Sequence, residues 1–195
     1  RGQRADQDHP GQNRQNSGSR SDRIFAAVQF LAQIMAVDEN EVSWDDPVRA
    51  ARLLAELKAV DVQRIRPRKT IIGADTIVLH GGVPLGKPAD SGEAADMLAR
   101  LSGQRHEVIT GLAIVAPPDV RLVDAARTAV FFRPLSGEEI ARYIDTAEPF
   151  DKAGAYAIQG HAAAFVERVE GDYPNVVGLP VSLLFAMFRE LEARR

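Results

Sequence analysis

One stretch restricts the fold more than any other. From Thr70 to Leu79 the chain reads Thr-Ile-Ile-Gly-Ala-Asp-Thr-Ile-Val-Leu, with β-branched residues on both sides of the polar pair Asp75–Thr76. β-Branched side chains are stiff at χ1 and suit a pleated surface better than a helix. Apolar residues at successive positions, rather than at every second one, mark a strand that is buried. His80-Gly81-Gly82 then makes a turn into the short segment Val83–Leu85.

The segments around this strand alternate in period. Ile24, Val28, Leu31 and Met35, with Phe25 and Ile34 beside them, recur at helical spacing. A second helix has Asp45 or Asp46 as its cap, Pro47 in its first turn, and Leu53, Leu54 and Leu57 on its apolar face. The spacing predicts a third over Ser91 to Leu101, stopped by Gly103, with Ala94, Met97, Leu98 and Leu101 inward. Strands are expected over His106–Val115 and Leu122–Phe132, joined around Pro117-Pro118-Asp119. Ser136-Gly137-Glu138-Glu139 is a capping box opening a helix that runs to about Asp145. Ala155–Ile158 and Ala163–Val169 read as short strands, and an amphipathic helix runs from Pro180 to about Leu191. Interleaved strands and helices indicate an α/β fold with a mixed sheet. Residues 1 to 22 hold no apolar side chain larger than Ala, too little to offset the entropy of ordering them. They are expected to be disordered or non-native, with the folded domain spanning residues 23–195.

Composition removes several function classes. A net charge of −3 argues against a general nucleic-acid binder. No cysteine is present, so there is no disulfide, thiol nucleophile or cysteine-ligated zinc. The longest apolar stretches reach about half of the ~20 residues a membrane span needs, and nothing resembles a signal peptide. A cytoplasmic protein, bound to neither membrane nor nucleic acid, is expected.

The candidate chemistry lies in polar residues set among apolar or small ones. Asp75 stands within an apolar strand, and a buried carboxylate is costly unless it is paired, hydrogen-bonded or on a metal. It can hold a divalent ion or take a proton from water, or it can be a structural Asp satisfied by backbone amides. The small pair Gly73-Ala74 lets something approach closely. Gly81-Gly82-Val83-Pro84-Leu85-Gly86-Lys87-Pro88 nearly matches a phosphate-binding P-loop, but Pro88 removes both the metal-ligating hydroxyl and a backbone N–H. What survives is Lys87, twelve residues beyond Asp75, as a phosphate-binding candidate. Asp151-Lys152-Ala153-Gly154-Ala155-Tyr156-Ala157-Ile158-Gln159-Gly160 is the densest polar constellation. Gln159 offers an acceptor and a donor together, which suits a uracil or thymine edge or, alternatively, the backbone groups of a turn. His9, His80, His106 and His161 show no metal-ligand spacing.

An ordered set of motifs now resembles the Maf family. It comprises Gly73-Ala74-Asp75-Thr76, Leu85-Gly86-Lys87-Pro88, Leu101-Ser102-Gly103 followed by His106, Thr110-Gly111 and Phe132-Arg133. Asp151-Lys152-Ala153-Gly154-Ala155-Tyr156, Ile158-Gln159-Gly160 and Asn175-Val176-Val177-Gly178-Leu179-Pro180 complete it. The resemblance covers roughly Asp38 to the C-terminus. It implies a twisted mixed sheet flanked by helices, with two lobes around a central nucleotide-binding cleft. It also implies a nucleoside triphosphate pyrophosphatase that uses Mg²⁺ or Mn²⁺, and a homodimer. Carried over by motif, Asp75 is the proton acceptor and a metal-linked carboxylate, with Glu39 a second acidic group near the metal. Lys87 and Lys58 would contact the triphosphate, and Lys152 joins the substrate-binding set. Thr76 and Gln159 sit where base preference is decided. The string through Gln159-Gly160 is similar to the subgroup acting on dTTP and UTP, and less like the one acting on 7-methyl-GTP.

The pattern departs at the N-terminus, where the family has an apolar strand leading into S-x-S-x-R-R. Here Gly11 to Asn16 cannot be a buried strand, and Ser17 to Arg23 keeps only an echo of the motif. A catalytically impaired, nucleotide-binding relative is therefore the competing expectation.

Overall fold

The computed structural model describes residues 42–194. The expected helix over residues 24–35, the N-terminal segment and Glu39 lie outside the described residues.

Helix α1 (Pro47–Ile65) begins where Asp46 accepts hydrogen bonds from the backbone N–H groups of Val48 and Arg49, each at 3.1 Å, with Pro47 in the first turn. Strand β1 (Ile71–His80) turns through Gly81 and Gly82 into β2 (Val83–Leu85). Both glycines have positive φ, 58° and 80°, as the two-residue hairpin turn that matches strand twist demands. Helix α2 (Ser91–Leu101), capped by Asp90, carries the chain to β3 (Arg105–Ala116) and β4 (Val120–Phe132). Helix α3 (Gly137–Ile144) opens on the expected capping box, with Ser136 and Glu139 bonding each other's backbone. Three 3₁₀ turns (Glu148–Asp151, Ala153–Ala155 and His161–Phe165) precede β5 (Val166–Glu170). The short helix α4 (Tyr173–Val177) and the longer α5 (Val181–Ala193) complete the described chain.

The strands form one sheet in the order β2-β1-β3-β4-β5, flanked by helices, so the α/β architecture holds. Every pairing among the described residues is antiparallel, where a mixed sheet was expected. The β1–β2 hairpin reverses the chain before α2, so the crossover sets β3 in the direction of β2 with β1 between them. Interleaving with helices thus does not require parallel neighbours.

Alternation along the strands divides the core. Ile77, Leu79, Ile109, Ala113 and Val115 face α1, while Val78, Val108, Leu112 and Ile114 face α2, α3 and α5. The buried stripe of α1 is Ala50, Ala51, Leu54, Ala55 and Ala59. The expected leucine face is only partly right, because Leu53 and Leu57 are 38% and 37% exposed. Alanine is needed there because α1 lies almost on the sheet. A Cβ at Gly73 would stand 2.1 Å from the Ala55 carbonyl oxygen, and one at Gly111 2.0 Å from that of Ala51. The close approach permitted by Gly73 is therefore that of a helix backbone. Among the described residues no helix is long and apolar enough to cross a membrane.

Candidate active site

Strand β2 pairs only with Val78 to His80, so on that side Ile71 to Ile77 of β1 have no ladder partner among the described residues. A cleft of about 710 Å³ opens along this edge, within the range of small-molecule sites. Successive residues of β1 point to opposite faces, yet Asp75 and Thr76 both line the cleft, because an open edge is reachable from either face. Lys58 from α1, Lys87 from the loop after β2, and Lys152 and Gln159 from the turns before β5 line it as well. Six residues separated by up to about a hundred positions in sequence thus meet in one hollow.

Their pairings differ. Asp75 is bonded by the Lys58 ammonium, and the two side chains are 12% and 28% exposed. Lys152 bonds Asp151 at 2.5 Å. That ammonium, outweighing partial burial and aided by Lys87, holds the Asp151 carboxyl below its ordinary 3.8. Lys87 has no ion-pair partner among the described residues and is exposed. Three lysines against two aspartates leave the described lining cationic, which suits a polyanion.

The segment carrying Gln159 was expected to include a strand over Ala155–Ile158. It is instead a 3₁₀ turn followed by a stretch without ladder bonds. Its backbone groups are satisfied one at a time: Gly154 N–H by the Gly86 carbonyl at 2.9 Å, and Ala157 N–H by the Tyr143 hydroxyl at 3.1 Å. Tyr143 donates to Glu148 at 2.9 Å, and Glu148 accepts from the backbone N–H of His161 at 3.1 Å. The turn holding Gln159 is therefore tied at both ends to one Tyr–Glu pair. Burial alone would raise the Glu148 carboxyl, but hydrogen bonds from His161 and Tyr143 bring it below its ordinary 4.5. The expected strand over Ala163–Val169 begins only at Val166, after a 3₁₀ turn.

Some supporting residues had no local signal. Tyr143 and Glu148 sit in and after an ordinary surface helix, so their role emerges only in three dimensions. His106, set aside for lack of metal spacing, is buried with its Nε2 at 2.8 Å from the Tyr156 hydroxyl. Tyr156 itself lines the cleft.

An α/β sheet with a lysine-rich cleft on its open edge has the charge and size that suit a small polyanion. The chain belongs to the Maf family: the family profile described as Maf-like protein matches residues 16–191. Curated relatives named dTTP/UTP pyrophosphatase include one from Symbiobacterium thermophilum, 49% identical over 79% of each chain. A Geobacillus relative is 47% identical over 86% of this chain and 90% of its own. A third, from Desulforamulus reducens, is 46% identical over 80% and 83%.

Proposed function

We propose that the protein hydrolyses dTTP and UTP to the monophosphate and pyrophosphate. The supporting observation is that Lys58, Asp75, Thr76, Lys87, Lys152 and Gln159 line one cleft, in a chain whose relatives carry that activity in their names. Lys87, exposed and unpaired among the described residues, attracts the triphosphate, and Lys152 adds positive charge beside it. Asp75 accepts the proton of the water that attacks the α-phosphorus, and pyrophosphate leaves. Lys58 fixes the direction in which the Asp75 carboxylate points. Gln159 and Thr76 face the base.

Among the described residues no group of three His, Asp or Glu side chains could cage a metal. Asp75, together with the substrate's own phosphate oxygens, would hold Mg²⁺ or Mn²⁺, and the family resemblance implies Glu39, outside the described residues, as a second acidic group. Such an ion supplies charge neutralisation on the triphosphate and activation of water. A cytoplasmic location and a homodimer accompany this reading.

The test is pyrophosphate release from dTTP and UTP with Mg²⁺ or Mn²⁺. Asp75→Asn should still fold, with a lower urea midpoint because the Lys58 ammonium loses its partner, and lose about 10²–10⁴-fold in kcat, the range of a general base. Wild-type turnover in Asp75→Asn would remove that residue from the mechanism. Binding without turnover in the wild-type chain would make it a nucleotide-binding relative instead.

A further inference from the structure

Two motifs in the sequence, Thr110-Gly111 and the Asn175 segment, have no part in the chemistry above, yet they converge directly behind Thr76. Thr76 and Thr110 are opposite one another across β1 and β3, with their hydroxyl oxygens 3.0 Å apart. Thr110 donates to the Asn175 backbone carbonyl at 2.9 Å. Thr110 and Asn175 are both fully buried, so water cannot substitute for the bond between them. Asn175 is itself pinned: its side-chain nitrogen donates to the Val108 carbonyl at 3.1 Å and to the Thr128 hydroxyl at 2.9 Å. Thr128 in turn donates to the Asp172 carbonyl at 3.0 Å and accepts from the Asp172 N–H at 3.1 Å.

Proton counting fixes the direction of the chain. A hydroxyl has one hydrogen and two acceptor lone pairs. The Asn175 carbonyl has no hydrogen to give, and two bare oxygens 2.9 Å apart would repel, so the Thr110 hydrogen lies between them. The Thr76–Thr110 contact then needs the hydrogen of Thr76. Thr110 is the one hydrogen-bond partner of the Thr76 side chain among the described residues, so only lone pairs of Thr76 remain to offer the cleft.

We propose that Thr110 and Asn175 are positioning residues that make Thr76 an acceptor-only group, so that the cleft selects a base presenting an N–H there. Uracil and thymine carry that hydrogen on their imide nitrogen, whereas the corresponding nitrogen of cytosine is an acceptor and meets lone pair with lone pair. Sites built around such a hydrogen bond discriminate strongly, because the mismatched ligand leaves polar groups unpaired. This inference rests on the pyrimidine triphosphate reading above, and refines it.

The experiment measures kcat/KM for UTP and CTP, together with calorimetric Kd for both, in the wild-type chain, Thr110→Val and Thr110→Ser. Thr110→Val removes the acceptor behind Thr76 and frees its hydrogen to turn toward the ligand. The UTP:CTP ratio should fall at least about tenfold in both kcat/KM and affinity, carried by KM rather than kcat, and Thr110→Ser should restore it. A merely structural role would weaken both nucleotides equally, and an unchanged ratio in folded Thr110→Val overturns the inference. A second measurement needs no variant: methylation of the imide nitrogen of UTP should weaken the wild-type chain's use of it at least tenfold, and equal use of the two also overturns the inference. If the wild-type chain binds but does not hydrolyse, the pyrophosphatase reading fails, while the ratio of Kd values still decides this one.

Discussion

The three cleft lysines are not equivalent, and their pairings say how each should fail. Lys58 sits against an Asp75 carboxylate that is only 12% exposed, whereas Lys87 is exposed with no ion-pair partner among the described residues. Removing one member of a part-buried pair leaves the other charge without its partner, which costs stability. Lys58→Ala should therefore destabilise the fold by on the order of 1–3 kcal/mol, seen as a lower urea midpoint. Lys87→Ala should leave the midpoint unchanged and raise KM for UTP about tenfold, a difference of about 1.4 kcal/mol in binding. Equal midpoints in the two variants would mean that the Lys58–Asp75 contact carries no structural role. At this scale the sequence was informative. Asp75, Lys87 and Gln159 stood out because each is a polar group set among apolar or small residues; the cost of burying a polar group applies to Asp75 alone, since Lys87 and Gln159 are exposed. Tyr143 and Glu148 did not stand out, since a Tyr and a Glu near a helix end are commonplace until the Gln159 turn is seen to hang from them.

Between elements, the tightest constraint is the seat of α1 on the sheet. A methyl group at Gly73 would reach within 2.1 Å of a carbonyl oxygen of the helix backbone, which no rotamer change can relieve. Gly73→Ala should cost on the order of 3 kcal/mol, the upper range for overpacking, while Leu53→Ala on the exposed side of the same helix should cost less than about 1 kcal/mol. Urea denaturation of both variants checks this, and comparable losses would show that α1 can lift from the sheet. Helix boundaries were legible where caps are local: Asp46 and Ser136 each open a helix from within three residues. Strands β1, β3 and β4 were legible, β1 from its β-branched run. The segment from Ala155 to Ile158 was not, because its apolar residues mimic a strand while its backbone N–H groups bond a tyrosine hydroxyl and the turn just before it. The apolar face of α1 was misjudged for a related reason, since small residues bury best where the partner backbone is nearest.

Across the whole molecule, burial makes stability depend on pH through His106, whose ring packs edge-on against Phe132 at 4.9 Å and Tyr156 at 5.3 Å. Neither the strand order nor this residue's depth could be read from the sequence, because His106 opens a strand and its burial depends on which elements close over that strand's end. Burial first, then the nearby His80 and Arg105, lower its pKa from 6.5 to about 4. The folded chain therefore holds this ring neutral over a range in which the unfolded chain takes up a proton. The resulting stabilisation is complete above pH 6.5 and is lost as pH falls from 6.5 towards 4. Each unit of difference in pKa corresponds to about 1.4 kcal/mol, so the full loss is on the order of 3 kcal/mol. Carboxylates such as Glu148, whose pKa is lowered in the fold, add their own acid sensitivity only below about pH 4.5. The upper part of the window therefore isolates the histidine. Urea unfolding of the wild-type chain and of His106→Gln at pH 7, 6, 5 and 4.5 should show a steep fall for the former and a shallower one for the latter. Parallel profiles would mean that the ring is protonated in the folded chain with no penalty, and that the aromatic cluster around it is open to water.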